Sequence, residues 1–386
     1  MNSIAFFAHT APDSDDASHW QPLEKHLSGV ARRARVMAAA FSSAEVGYCA
    51  GLWHDVGKYR PEFQKYLFQC AEARRLGLQE PGHGPEHSGA GAALAQEKIP
   101  GKQPPGAPLH PVVLVIAGHH AGLADNSGNA PGTPAPVRTR LPEAEQTLSR
   151  IRPHLPPRIT STPLPPPPAF LLPKTMPLSN AERAVLLRRR EFWTRFLLSV
   201  LVDADRLDTE HFHDREKARL RRKRFDPIRE LRRRLDEWID TKVAALPAAE
   251  KKSPVNRHRQ EILERCRQAA LEPPGVFSLT VPTGGGKTLS SMSFALRHAE
   301  RHGLRRVIVV IHYTSIIEQN AAEYRRALGP DNVLEHHNNL DVERRRRTLG
   351  DEPADRHDLA TENWRMPVIV TTTEIVVMLQ YIIRTK

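Results

Sequence analysis

Five histidines and two aspartates mark the first part of the chain. They are His26, the pair His54-Asp55 in GLWHDVGKY, His87, the pair His119-His120, and Asp205 in LVDADRLDTE. Neutral imidazole and carboxylate suit borderline divalent metals such as manganese, iron, cobalt, nickel or zinc. These donors are enough for one or two ions with open positions. Two ions about 4 Å apart would clamp the attacking and leaving oxygens of a phosphodiester and make hydroxide available at neutral pH. Adjacent His and Asp on one helix diverge by about 100°. The ligands must therefore converge from several tightly clasped helices. Lys58 falls one turn after His54 and is placed to touch a phosphate or a metal-bound water. Each residue alone says little; the order of the set, with Val-Gly-Lys directly behind His54-Asp55, is what is specific. Asp205 is preferred as the last ligand because it follows an alanine in a stretch rich in Leu and Val. Asp203 and Asp208 are the fallbacks. His9, His19, His83, His110, His211 and His213 read as ordinary.

A second constellation is VPTGGGKT, residues 281–288. Glycines let backbone N–H groups approach phosphates closely, Lys287 would pair with the β- and γ-phosphates, and Thr288 would hold magnesium. Thr283, Gly284, Gly285 and Gly286 form the cradle. Val281 stands where the usual pattern has its first glycine. Hydrolysis also needs an acidic motif at the end of a later strand. Asp351-Glu352 resembles one but follows a polar, arginine-rich run, so it reads as a decoy.

These groups need elements to position them. Leu23, Leu27, Val30 and Ala34 recur at helical spacing, so residues 18–75 read as helices. PVVLVIAG, residues 111–118, fits a helix or a strand by pattern and is assigned a helix from its setting. Residues 126–178, with PGTPAP, PHLPP and Pro165 to Pro168, read as an exposed, partly disordered loop. Helical pattern returns at 179–210, and a basic run from Arg215 to Arg234 follows, either a solvated face or a nucleic-acid contact. From 276 strands and helices alternate: VFSLTVP as a strand, a helix after Lys287, RRVIVVIHY as the next strand, then a helix and PVIVTTT. This implies a parallel, doubly wound sheet.

Bulk properties set the bounds. The 386 residues allow two or three domains. Lys and Arg outnumber Asp and Glu by 56 to 44, a formal +12 that favours a polyanionic partner. Three scattered cysteines argue against a disulfide framework or a zinc ribbon and for a reducing cytoplasm. No secretory signal opens the chain, and its apolar runs are too short to span a bilayer.

Together the residues resemble the HD-nuclease/superfamily 2 helicase of type I CRISPR interference, closest to its type I-C form. The carrying segments are WQPLEKHLSGVA, GLWHDVGKYRPEFQKYL, EHSGAGA, IAGHHAGL, LVDADRLDTE, SLTVPTGGGKTLSSMSFALRHA, YTSIIEQNA and NVLEHHNNLD, across roughly residues 20–340. The resemblance implies an N-terminal all-α HD domain followed by a partial α/β RecA-like helicase domain. The expected bounds are 1–225 for the HD domain, 226–270 for a basic helical connector and 271–386 for the incomplete RecA-like domain. It implies one metal on His26, His54, Asp55 and Asp205, and a second on His87, His119 and His120, with Asp55 bridging. Asp55 and Lys58 become the catalytic candidates. Thr314-Ser315 and Thr371-Thr372 resemble DNA-gripping helicase motifs, with Thr373 closing the second.

The implied activity is metal-dependent cleavage of single-stranded DNA at the HD site. The motor would feed the strand 3′ to 5′ using ATP and magnesium, after recruitment to an RNA-guided, Cascade-like surveillance complex. After PVIVTTT the chain reads EIVVMLQYIIRTK, where family members continue differently. The expectation is therefore the front part of a longer protein, with unwinding absent from this fragment. The proline-rich stretch is expected to be an insert that family members need not share. Two other readings stand beside this one: an HD phosphohydrolase acting on nucleotides, and a non-catalytic DNA-binding remnant of a broken gene.

Overall fold

Helical period alone accounts for the core of the first unit. The computed structural model describes residues 5–101, 108–124, 136–173, 176–222, 224–337 and 351–374. The chain divides into two compact units, one running to Ala218 and the other starting at Arg219. In the first, a short antiparallel pair, β1 (Phe7–His9) with β2 (Gln21–Pro22), precedes α1 (Leu23–Ala38) and α2 (Ala44–Trp53). Next come α3 (Pro61–Arg75), α4 (Ser88–Glu97), α5 (Pro111–Gly118), α6 (Val137–Ile151), α7 (Pro157–Ser161) and α8 (Asn180–His213). Leu23, Leu27, Val30, Ala31 and Ala34 bury one face of α1, which packs on α2 and α8. PVVLVIAG is helical, with proline at its first turn and all but Leu114 buried.

Helix α8 has 34 residues, hence a length of about 50 Å. Its start is fixed by a capping box: the Glu182 backbone N–H donates to Ser179 Oγ, and the Ser179 N–H donates back to the Glu182 carboxylate.

The proline-rich stretch departs from expectation. Residues 137–151 form a helix, and Val137, Leu141, Ala144, Leu148 and Ile151 bury its inner face in the core of α1, α2, α4, α5 and α8. Leu155 and Ile159 continue that core. The prolines do not prevent this because they mostly stand where a helix tolerates them. Pro157 sits in the first turn of α7, and Pro153 in the first turn of a short 3-10 turn. Pro142 lies within α6, where it forfeits one ladder bond.

Helix α9 (Arg215–Arg222) carries the chain to the second unit. There α10 (Ile228–Ala244), α11 (Ala248–Lys251) and α12 (Pro254–Ala269) precede α13 (Lys287–Arg301), β3 (Val307–Ile311), α14 (Thr314–Leu328), β4 (Val333–His336) and β5 (Val368–Thr372). The strands form a parallel sheet in the order β3-β5-β4, with Val307 and Val333 both level with Val368. β5 is buried along its whole length, as a central strand of a covered parallel sheet must be. Helices α10 and α12, from the stretch read as a connector, pack on α13, and Ile228, Leu231, Leu235 and Ile239 join the core beside the sheet.

One expected strand is absent. VFSLTVP makes no ladder among the described residues, and Val276, Phe277 and Leu279 are exposed. Phe277 instead packs its ring on Phe294 and His298 of α13. A strand needs a neighbouring edge, and the described sheet offers this segment none that it uses. The cysteines are all free and buried: Cys49 on α2, Cys70 on α3 and Cys266 on α12.

Candidate metal centre

The turn after α2 removes the divergence expected of adjacent His and Asp. His54 keeps helical angles (φ −55°, ψ −43°), but Asp55 leaves them (φ −111°, ψ 23°), and residues 56–59 continue as a 3-10 turn. Both side chains therefore face the same space. His26 comes from α1, His87 from the N-cap of α4, His119 and His120 from the end of α5, and Asp205 from α8. Gly57 permits the approach of the His87 backbone: a Cβ there would stand 2.1 Å from the His87 carbonyl oxygen.

The donors fall into two clusters sharing Asp55. In the first, His26 Nε2 lies 3.3 Å from Asp205 Oδ1 and 3.7 Å from Asp55 Oδ2; His54 Nε2 lies 3.4 Å from Asp55 Oδ2 and 3.6 Å from Asp205 Oδ1. In the second, Asp55 Oδ1 stands 3.5, 3.2 and 3.9 Å from Nε2 of His87, His119 and His120. The Nε2 atoms of His87 and His120 are 2.8 Å apart. Nε2 of both His26 and His54 is buried with no hydrogen-bond partner. Orphaned buried nitrogens are costly unless something binds them. A divalent cation fits this donor set, with all these Nε2 lone pairs turned inward. Lys58 is buried too, its Nζ 2.7 Å from Asp55 Oδ2 and 3.3 Å from the Ala8 carbonyl oxygen, so it braces the shared carboxylate.

His9, read above as ordinary, lies against this centre. Its ring is 5.1 Å from that of His26, edge to face, and its Nε2 is 3.3 Å from Thr209 Oγ1. Its sequence signal was only a histidine in a short apolar segment.

In the second unit the phosphate loop lies directly ahead of α13. Gly284 and Gly286 take φ of +85° and +81°, which favour glycine, and Lys287 and Thr288 open the helix. The Arg259 Nε–H donates to the Gly284 carbonyl at 2.9 Å. A cavity of about 290 Å³ adjoins Gly286, lined in part by Gln260, Leu263, Leu289 and Ser290.

A family model described as "Cas3, HD domain" matches residues 8–172, and one described as "Type III restriction enzyme, res subunit" matches residues 252–376. Together the two matches fit a Cas3-like arrangement, an HD domain followed by a superfamily 2 helicase-type domain. No curated protein matches the chain. The Cas3 HD match, residues 8–172, spans most of the proline-rich stretch. Among the described residues of the Cas3-like chain, no helix is long and apolar enough to cross a membrane.

Other expected sites stand as follows. Thr314 and Ser315 occupy the first turn of α14, with Ser315 exposed. Thr371 and Thr372 are buried in β5, and the Thr371 hydroxyl donates to the His336 carbonyl oxygen. Thr373, half-buried beside His312, is the member of the run that nears the surface. Asp351 and Glu352, read above as a decoy, begin the helix Asp351–Asn363. Most of EIVVMLQYIIRTK and the end of NVLEHHNNLD lie outside the described residues.

Several arginines of the basic run are held by acids. Arg221 pairs with Glu362, Arg232 with Glu300 and Asp236, Arg233 with Glu230 and Glu237, and Arg234 with Asp226 and Glu230.

Without metal the first cluster holds protons. Burial works against a charged imidazole, but the nearby carboxylates outweigh it: Asp205, Asp208 and Asp55 raise His26 to about 9, and Asp55 and Asp205 raise His54 to about 10. Burial itself sets the second cluster, lowering His87 and bringing His120 to about 4, so those rings are neutral donors. A histidine pKa raised by folding stabilises the fold fully below its ordinary value near 6.5, and that contribution is lost as pH rises through 9 to 10. The thermal midpoint of chelator-stripped protein is thus expected to fall from pH 7 to pH 10, whereas manganese-loaded protein, its histidines already deprotonated, changes far less. Identical profiles for both forms would contradict this.

Proposed function

We propose that the first unit is a metal-dependent nuclease that cuts single-stranded DNA in CRISPR interference. The observation that carries the reading is the pair of clusters meeting at one buried carboxylate, Asp55. A pair of divalent manganese, cobalt, nickel or iron ions supplies charge stabilisation and an activated water to phosphodiester hydrolysis.

The chain's residues do the rest. His26, His54 and Asp205 hold one side of the centre, and His87, His119 and His120 the other. Lys58 keeps Asp55 ionised and aimed. His120, with about half its side chain exposed, marks the open side where a backbone phosphate enters. Lys287, Thr288 and the loop Thr283–Gly286 would take the phosphates and magnesium of ATP, and the cavity beside Gly286 would take its base. In the whole protein this supports 3′ to 5′ unwinding beside an RNA-guided surveillance complex in the cytoplasm. Ser315 and Thr314 at the start of α14 would meet the strand.

The test is cleavage of a labelled single-stranded oligonucleotide by manganese-loaded protein without ATP. Endonucleolytic or exonucleolytic products, abolished by chelator, are expected. Intact DNA together with steady phosphate release from mononucleotides would overturn the proposal in favour of a nucleotide phosphohydrolase.

A further inference from the structure

The ligating histidines differ in what stands behind them. His54 Nδ1 donates to the Gly51 carbonyl oxygen at 2.8 Å, His87 Nδ1 to that of Pro85 at 2.9 Å, and His119 Nδ1 to that of Ile116 at 2.7 Å. His26 differs from these three, because its Nδ1 meets a carboxylate, Asp208 Oδ2, at 3.1 Å. Asp208 therefore lies on the far side of the ring from Nε2, the atom that faces Asp205 and Asp55. That position excludes it as a ligand of the same ion, the fallback role considered from sequence.

The carboxylate is firmly seated. The Gln21 side-chain amide donates to Oδ2 at 3.0 Å and the Arg33 guanidinium to Oδ1 at 3.3 Å. His26, Gly29 and Arg33 follow one another at i, i+3 and i+7, one face of α1. Gly29 leaves the space Asp208 occupies: a Cβ there would stand 2.2 Å from Oδ1. A carboxylate behind a ligating imidazole fixes its tautomer and strengthens it as a donor.

We propose that Asp208 is a positioning residue that makes the cluster of His26, His54, Asp55 and Asp205 the tighter of two ion sites, leaving the cluster of His87, His119 and His120 as the exchangeable one. Two further features agree. Among the described residues, the first cluster has Asp205 besides the shared Asp55, whereas the second has only the shared carboxylate. The first cluster's histidines have fully buried side chains, whereas His120 is about half exposed. The inference rests on the reading of both clusters as ion sites.

The test is a manganese titration of the full chain by equilibrium dialysis, with electron paramagnetic resonance to separate single from paired ions. Wild type is expected to show a tighter and a weaker class. Asp208→Asn keeps the side chain's shape and removes its charge. It should weaken the tighter class ten- to a hundredfold and leave the weaker class unchanged. His120→Ala should weaken only the other class. Gly29→Ala, which displaces the carboxylate, should repeat the Asp208→Asn result and serves if that variant fails to fold. The inference is overturned if Asp208→Asn leaves the tighter class as it is, or weakens both classes by the same factor with a lowered metal-free melting point, as a merely structural residue would. A folded wild type that binds no manganese would remove the metal-centre reading beneath it, a result distinct from either.

Discussion

An Asp55→Ala chain is expected to bind neither ion and to lose DNA cleavage by at least about a thousandfold. One carboxylate serves both clusters, Oδ2 toward His26 and His54 and Oδ1 toward His87, His119 and His120. Removing any other ligand leaves one cluster whole, whereas removing this one breaks both. Ion chemistry at a phosphodiester supplies several kcal/mol of transition-state stabilisation, and each ~1.4 kcal/mol is a factor of ten in rate. The same change strips Lys58 of its counter-charge while its side chain stays buried. Breaking a buried pair by removing one partner costs about 3–5 kcal/mol. Asp55→Asn retains the shape and serves as the companion variant. Metal content by mass spectrometry, circular dichroism and cleavage must be read together. A folded Asp55→Asn protein that still holds two ions and cuts at the wild-type rate would refute the centre.

The second large effect concerns stability. Leu148→Ala is expected to destabilise the first unit by about 2–5 kcal/mol, the range for emptying a fully buried leucine site. Pro166→Ala, at an exposed position of the same proline-rich region, should be close to neutral. Urea unfolding followed by tryptophan fluorescence distinguishes them. Equal midpoints for both variants would return residues 137–151 to the status of a loop.

That region shows where sequence reading failed and why. Val137, Leu141, Ala144, Leu148 and Ile151 carry a plain helical period, but Pro142 and the prolines that follow it drew the eye to composition. Proline forbids a helix interior far more than a helix start, so position mattered more than number. The residues that meet in the two clusters were legible for the opposite reason. His54 and Asp55 are polar residues at the end of an apolar helix, and Asp205 follows buried Leu201 and Ala204 on α8; polar groups in such settings need partners. The α/β order of the second unit was equally readable from RRVIVVIHY and PVIVTTT, which became the paired β3 and β5.

Other features depended on facts no linear pattern carries. VFSLTVP has the composition of a strand, but pairing depends on which edge lies beside it. Thr371 and Thr372 look like exposed hydroxyls until β5 proves central. Asp205 and Asp208 are three residues apart on one helix, and only coordinates show that one faces Nε2 of His26 and the other Nδ1.

The buried cysteines offer a native clock for opening of each unit. Burial pushes the Cys49 thiol up to about 12, so almost no thiolate exists while α2 stays docked. Alkylation at that position then proceeds only through transient exposure, and its rate measures how often the helix carrying His54 comes away. Cys266, on α12, reports the second unit in the same way without any engineered label. Slower modification of Cys49 on adding manganese, with Cys266 unchanged, would register ion binding as quieter breathing of one half of the chain.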